Sequence, residues 1–196
     1  MDESDLLDDP VEQLQAWLRE AESASPQANA MTLATADRSG RPSARQVLLR
    51  GVDPRGLVFF TNRTSRKASE LAENPRAALL LHWYELGRQV RVEGPVEEVE
   101  DAESQAYWRT RPRGSQIAAW ASPQSQVVAS RGELDDRYDA AERELGGGDV
   151  PLPDFWGGYR VVPDTIELWQ HRENRLHDRV RYRRSDGGWT RERLAP

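Results

Sequence analysis

The segment from Phe59 to Ala68 brings hydroxyl groups and two cations to the point where a predicted strand is followed by a predicted helix. Arg66 and Lys67 begin that helix, and cations at a helix N-terminus are electrostatically unfavourable unless an anion joins them. The free backbone N–H groups of the first turn favour the same anion. The segment therefore predicts a phosphate site, the alternative being an ordinary solvated first turn.

Lysine usage supports this interpretation. Lys67 is the only lysine among 27 basic residues, all the others being arginine. An ammonium group is compact whereas a guanidinium is planar, so a lone lysine indicates a place where the compact group is preferred, unless it survives by chance. No glycine-rich Walker or dinucleotide loop occurs, so the sequence predicts neither an ATPase nor a Rossmann enzyme.

A second basic segment runs from Tyr107 to Gln116. Its arginines alternate along a stretch that is predicted to be extended and is broken by a proline, with the hydroxyl groups of Tyr107 and Ser115 nearby. The three arginines are Arg109, Arg111 and Arg113. This arrangement suits a second phosphate, and the alternative is a basic surface stretch.

The third segment, from Trp169 to Arg179, contains two of the three histidines. If Arg175–His177 is extended, those two side chains share a face and Arg179 can join them. Arginine stacks on flat rings, and histidine can donate to or accept from a ring hydroxyl. Three scattered histidines and no cysteine predict no metal site, and no Ser-His-Asp order or paired-carboxylate pattern stands out.

Composition limits the classes of protein that these segments can serve. The net charge of −6 argues against a general binder of nucleic acid or of a membrane surface. The acidic start lacks the order of a signal peptide, and no apolar run approaches the length of a membrane span, so we expect a soluble cytoplasmic protein. Residues 1–8 are predicted to be a disordered leader, and the low apolar content of 37% favours an oligomer.

The hydrophobic and turn patterns predict a mainly β fold with peripheral helices. Regular spacing and tight turns favour antiparallel pairing in a barrel or sandwich. The predicted strands are Met31–Ala36, Ala44–Arg50, Leu57–Thr61, Ala77–Trp83, Gln89–Val99 with a break at Gly94-Pro95, Tyr159–Trp169, Arg179–Arg184 and Gly188–Leu194. The predicted helices are one that begins at Pro10 after an Asp9 cap, followed by Ser65–Glu73, Asp101–Thr110 and Glu133–Leu145.

Taken in order, these segments and five shorter ones resemble the pyridoxamine 5'-phosphate oxidase family. The shorter segments are Arg45–Arg50, Arg88–Val90, Gln124–Ser125, Pro151–Gly158 and Arg193–Pro196. The resemblance implies a single FMN-binding split β-barrel domain over residues 9–196, antiparallel and Greek-key-like. It also implies a homodimer with FMN at the subunit interface, which oxidises pyridoxamine or pyridoxine 5'-phosphate with dioxygen and releases hydrogen peroxide.

The resemblance also implies roles for individual positions. Those that would bind FMN are Arg45, Val47, Leu48, Arg50, Phe60, Thr61, Arg66, Lys67, Gln89, Gln124, Ser125, Trp169 and Arg179. Those that would bind the substrate are Arg50, Tyr107, Arg111, Ser115, Arg175, Leu176 and His177. Of these, Arg175 and His177 would lie against the pyridine ring as the catalytic pair.

Two positions depart from the family pattern. Arg50 stands where the family typically has a lysine, and Phe60 stands where a tyrosine is common. A guanidinium is larger than an ammonium and would reshape the phosphate pocket. Two alternatives follow: a related split-barrel flavin oxidoreductase acting on another ring substrate, such as a phenazine precursor, and a non-catalytic flavin-binding protein.

Overall fold

A computed structural model describes residues 1–196, in which ten strands form a connected antiparallel sheet with five helices around it. The strands are β1 Ala30–Ala36, β2 Pro42–Leu48, β3 Gly51–Asp53, β4 Gly56–Asn62, β5 Arg76–Trp83, β6 Arg88–Glu98, β7 Trp156–Val161, β8 Thr165–Gln170, β9 Asp178–Ser185 and β10 Gly188–Arg193. The helices are α1 Pro10–Ala24, α2 Arg66–Glu73, α3 Asp101–Thr110, α4 Arg113–Ala121 and α5 Arg131–Leu145. None of these helices is both long and apolar enough to cross a bilayer.

The long strand β6 joins the two parts of the sheet. Its first half pairs with β5 and β8, within the order β10-β9-β8-β6-β5-β1-β2. Its last residues pair with β7, which continues to β4 and β3. This arrangement confirms the predicted fold class, a split β-barrel with peripheral helices.

The barrel interior is filled by alternate residues of the strands, as the period of two along a strand requires. Leu33, Leu79 and Val92 are fully buried on β1, β5 and β6. Helix α1 covers the barrel with Leu14 and Trp17, and the Asp9 side chain caps it by accepting from the N–H of Val11 at 2.7 Å, as predicted. Each such buried apolar side chain stabilises the fold by about 1.5–3 kcal/mol.

Some predicted elements differ from the structure. The stretch Tyr159–Trp169 forms two strands, because the chain turns around Pro163 between β7 and β8. The predicted break at Gly94-Pro95 does not occur, since β6 continues through it while exchanging partners. The short strand β3 and the helix α4 were not predicted.

Part of the segment formed by the first eight residues lies against the barrel, whereas its acidic composition predicted a disordered leader. Glu3–Asp5 form a 3-10 turn and the side chain of Leu6 is buried. Tyr182 donates its hydroxyl to the carbonyl of Leu7 at 2.8 Å, which fixes this segment to β9. Long-range contacts of this kind leave no local signal in the sequence.

Gly94 allows the sheet to close where β6 changes partners. A Cβ atom at this position would overlap the backbone carbonyl of Val162. Gly94→Ala is therefore expected to lower the free energy of unfolding by about 1–3 kcal/mol, because the backbones must separate. Denaturant unfolding measures this, with Gly147→Ala, which meets nothing within 4 Å, as the matched control. Equal stability of the two variants would contradict the prediction.

Candidate active site

A cavity of about 540 Å³ opens between β2, β4 and the first turn of α2. Strand β2 pairs with β1 alone, so consecutive residues of this edge strand border the cavity. The cavity is completed by α3 and by the loop after α4. The predicted site residues that border it are Arg45, Val47, Leu48, Arg50, Phe60, Thr61, Arg66, Lys67, Tyr107, Arg111, Gln124 and Ser125.

Lys67 lies at one end of this cavity with its ammonium group enclosed by oxygen atoms. Its Nζ donates to Thr61 Oγ1 at 3.0 Å, Ser65 Oγ at 3.2 Å and Gln124 Oε1 at 2.8 Å. Burial, assisted by the Arg45 cation, lowers the pKa of Lys67 to about 8, against the opposing effect of Glu70. An anion beside this ammonium would favour its charged form and raise its pKa again, in agreement with the anion site predicted at the helix start.

The neighbouring cations are held by a carboxylate that the sequence analysis did not single out. Glu70 accepts from Arg66 Nε at 2.8 Å and from Arg45 Nη2 at 3.2 Å. Burial alone would raise the pKa of Glu70, but hydrogen bonds from Ser43, Thr35 and Arg66 outweigh it and lower the pKa to about 2. The spacing of four residues between Arg66 and Glu70 on a helix is the signal that could have revealed the pair.

The charges at this end fit a phosphate group. Arg45, Arg66 and Lys67 contribute three positive charges and Glu70 one negative charge, which leaves a net charge of two. A phosphate monoester carries about −1.5 to −2 at neutral pH, so it would be neutralised here. The donor set is therefore suited to the phosphate of FMN.

The other end of the cavity is aromatic and carries two further arginines. The rings of Phe60 and Tyr107 stack with centroids 4.2 Å apart, and the Arg50 guanidinium lies 5.5 Å from the Tyr107 centroid. Arg111 lies 4.8 Å from the Trp156 ring centroid, and burial lowers its pKa. Its buried Nε has no hydrogen-bond partner. A second anion between Arg50 and Arg111 would offset the repulsion between these two cations.

The second basic segment is helical on both sides of Arg111 and Pro112, so the predicted extended conformation is wrong outside these two residues. Helix α3 continues to Thr110 and α4 begins at Arg113, because Pro112 is accommodated at a helix start. Of the three arginines, Arg111 alone borders the 540 Å³ cavity; Arg113 donates to the carbonyls of Gly146 and Gly148 instead. Ser115 lies on α4 beside a smaller cavity of about 360 Å³, which Arg111 also borders.

The remaining predicted residues form a second group on another part of the sheet. Gln89, Trp169 and Arg179 are register partners on β6, β8 and β9. Arg179 donates from Nε to Glu167 Oε1 at 2.9 Å. None of these three residues borders the 540 Å³ cavity of the same chain.

The loop between β8 and β9 completes this second group. The condition under which Arg175 and His177 would share the face of an extended stretch is not met, because Asn174 and Arg175 have φ values of 56° and 62° in a tight turn. The turn nevertheless brings the His177 ring to 4.7 Å from the Trp169 ring centroid. Arg175 and His177 border an open cavity of about 690 Å³, and Leu176 is 72% exposed.

The fold and the site together place this protein in the class of split β-barrel proteins whose cavity carries cationic side chains at both ends. Residues 12–142 match the family described as pyridoxamine 5'-phosphate oxidase, and residues 156–196 match the pyridoxine 5'-phosphate oxidase C-terminal dimerisation region. The chain belongs to the pyridoxamine 5'-phosphate oxidase family.

Two curated relatives, both named pyridoxine/pyridoxamine 5'-phosphate oxidase, illustrate the similarity. The protein of Salinibacter ruber is 56% identical over 195 residues, which cover 97% of this chain and 91% of the relative. The protein of Thermosynechococcus vestitus is also 56% identical, with 99% of this chain and 92% of the relative covered.

Two solved structures share the fold. PhzG from Burkholderia lata 383, in complex with tetrahydrophenazine-1-carboxylic acid, has a TM-score of 0.91 at 34% identity and covers 98% of this chain and 95% of its own. A pyridoxamine 5'-phosphate oxidase-related, FMN binding protein from Nostoc punctiforme has a TM-score of 0.77 at 20% identity, covering 96% and 98% of the two chains, and this likeness concerns the fold alone.

Proposed function

We propose that this chain is an FMN-dependent oxidase that converts pyridoxamine 5'-phosphate or pyridoxine 5'-phosphate to pyridoxal 5'-phosphate, with dioxygen as acceptor and release of hydrogen peroxide. The observation that carries the proposal is the cavity with a cationic group at each end, one around Lys67 and one formed by Arg50 and Arg111. Two phosphate groups, one from the cofactor and one from the substrate, account for both ends. The two 56% identical relatives support the same substrates.

In this proposal Lys67, Arg45 and Arg66 hold the cofactor phosphate, with Thr61 beside them. Gln124 receives hydrogen bonds from both Thr61 and Lys67, at 3.0 and 2.8 Å, and the adjacent Ser125 has a positive φ of 73°. When bound, FMN supplies the acceptor for the hydride that leaves the substrate. The remaining cofactor contacts of this end are Val47, Leu48, Arg50 and Phe60.

The substrate phosphate is assigned to Arg50, Tyr107, Arg111 and Ser115. The stacked rings of Phe60 and Tyr107 present a flat, apolar wall at this end of the cavity. Fixing the phosphate at one point leaves the pyridine ring a narrow range of orientations, and such orientation lowers the barrier to reaction.

A homodimer would bring the second group of residues to the cavity. Trp169, Arg175, Leu176, His177 and Arg179 all lie in the region matched as the dimerisation region of the family. Within one chain they do not border the 540 Å³ cavity, so a partner subunit is the source that the proposal requires, with Gln89 beside them on β6. Arg175 would then stack on the substrate ring, and His177 would exchange a proton with its ring hydroxyl.

An anaerobic titration of the flavin-loaded protein tests the proposed reaction. Pyridoxamine 5'-phosphate is expected to bleach the yellow flavin stoichiometrically, and admitted dioxygen is expected to restore the colour with release of peroxide. Pyridoxamine without its phosphate is the matched control, which should bleach far more slowly because Arg50 and Arg111 lose their anion. A protein that retains no FMN after the unbound flavin has been removed would contradict the proposal.

The same titration distinguishes two alternative functions from the proposed one. The likeness to PhzG and the arginine at position 50 favour a related flavin oxidoreductase that acts on a phenazine precursor. Bleaching by a reduced phenazine carboxylate, with none by the vitamin phosphates, would establish that activity instead. A non-catalytic flavin-binding protein would give no turnover above that of free FMN.

A further inference from the structure

Glu70 is buried directly behind the cations of the proposed cofactor phosphate site, with 5% of its surface exposed. It lies on α2, three residues after Lys67, and does not border the 540 Å³ cavity. Its Oε2 accepts from Thr35 Oγ1 at 2.5 Å and from Ser43 Oγ at 2.6 Å, in addition to Arg45. Its Oε1 accepts from Arg66 Nε at 2.8 Å.

The same network fixes the guanidinium of Arg45. Its Nη1 donates to the carbonyl of Leu33 at 3.2 Å and to Thr35 Oγ1 at 2.5 Å. Its Nη2 donates to Ser43 Oγ and to Glu70. All four donors on the two terminal nitrogens are therefore occupied, and the guanidinium is held in one orientation by groups that Glu70 connects.

Arg66 is held differently. Glu70 takes its Nε, which leaves both terminal nitrogens of this half-exposed side chain without a protein partner. A guanidinium with its Nε fixed presents the terminal N–H groups in a defined direction. Since the N-terminus of α2 lies beside it, those donors are available to an anion at the helix start.

We propose that Glu70 is a positioning residue for the cofactor phosphate, which holds the terminal N–H groups of Arg66 in the orientation that binds it and fixes the positive charge of Arg45 beside the site. This inference rests on the proposed FMN function. Glu70 itself would repel a phosphate, because both are negative. A purely electrostatic account therefore expects tighter binding when Glu70 is neutralised, whereas positioning expects weaker binding, so the sign of the effect separates the two.

The test compares FMN with riboflavin, which has the same ring but no phosphate, by titrating each into flavin-free protein. Glu70→Gln is expected to weaken FMN binding about tenfold or more, as the loss of an oriented charge-assisted contact implies. Riboflavin binding is expected to stay within about twofold of the unsubstituted protein, since ring contacts do not involve Glu70. The matched control is Glu73→Gln, an exposed carboxylate on the same helix.

Each outcome decides a different question. Unchanged or tighter FMN binding by the Glu70→Gln protein overturns the inference, and equal weakening of FMN and riboflavin shows a general structural defect, which also overturns it. Failure of the unsubstituted protein to bind FMN overturns the proposed function instead. If Glu70→Gln does not fold, Thr35→Val decides: it removes a hydroxyl that holds both Glu70 and Arg45, and a selective loss of FMN affinity of about threefold or more is required.

Discussion

Replacing Lys67 with methionine is expected to weaken FMN binding by about a hundredfold. Methionine has nearly the length of lysine and fills the same buried space, so the change removes the ammonium and leaves the packing. The charge that an incoming phosphate would meet disappears, and the oxygens of Thr61, Ser65 and Gln124 lose their shared donor. Both effects act on the phosphate end of the cavity.

The pH dependence of FMN affinity shows whether this loss arises from the ammonium. The pKa of Lys67 is lowered from 10.5 to about 8, so in the flavin-free protein Lys67 loses its proton as the pH rises past 8. The phosphate favours the charged form, and FMN affinity should therefore fall above pH 8 in the unsubstituted protein. The Lys67→Met protein should show no such fall.

A matched control uses a cation outside the cavity. Arg41→Met removes an exposed guanidinium next to β2, and it should leave both the affinity and its pH dependence unchanged. Titration of flavin fluorescence at several pH values measures all three proteins. Equal FMN affinity in the Lys67→Met and unsubstituted proteins would show that the phosphate lies elsewhere.

The phosphate end of the site could be predicted from the sequence because its signals are local. A strand, a polar loop and a helix start are adjacent in the chain, and Lys67 stands out by its residue type alone. Glu70 was missed although its spacing of four residues from Arg66 is visible in the sequence, because such a spacing does not stand out among 33 acidic residues. Its role depends on Thr35 and Ser43, which arrive from β1 and β2 through strand pairing.

The second group of residues shows a different limit. The sequence predicted that Arg175 and His177 act together if the backbone between them is extended. The structure has a turn with positive φ at Asn174 and Arg175 instead. The periodicity of side chains along a strand or helix predicts which face a residue occupies. The turn that contacts Trp169 has no such periodicity. The fold class was predicted correctly because it depends on many strands, whereas this loop depends on a few contacts.

The largest change in turnover is expected when a subunit with a defect at the cavity is combined in one dimer with a subunit that has a defect in the second group of residues. Arg111→Met and His177→Ala should each reduce turnover about a hundredfold as homodimers, since one loses a contact to the substrate phosphate and the other a contact to the ring. A dimer with one subunit of each kind is expected to recover about half of the unsubstituted activity. Two affinity tags, one on each kind of subunit, isolate this mixed dimer.

The activity recovers because the two substitutions are distributed unequally between the two sites of the mixed dimer. If each site takes Arg111 from one subunit and His177 from the other, both defects fall in one site of the mixed dimer and the second site is intact. If each site takes both residues from the same subunit, every site carries one defect and no activity returns. A mixed dimer as inactive as its parents would therefore reject the shared site. The control is a mixed dimer of Arg111→Met with Tyr107→Phe, two residues that border the same cavity of one chain. Every site of this dimer carries one defect. Its activity should therefore be the mean of the activities of the two parent homodimers.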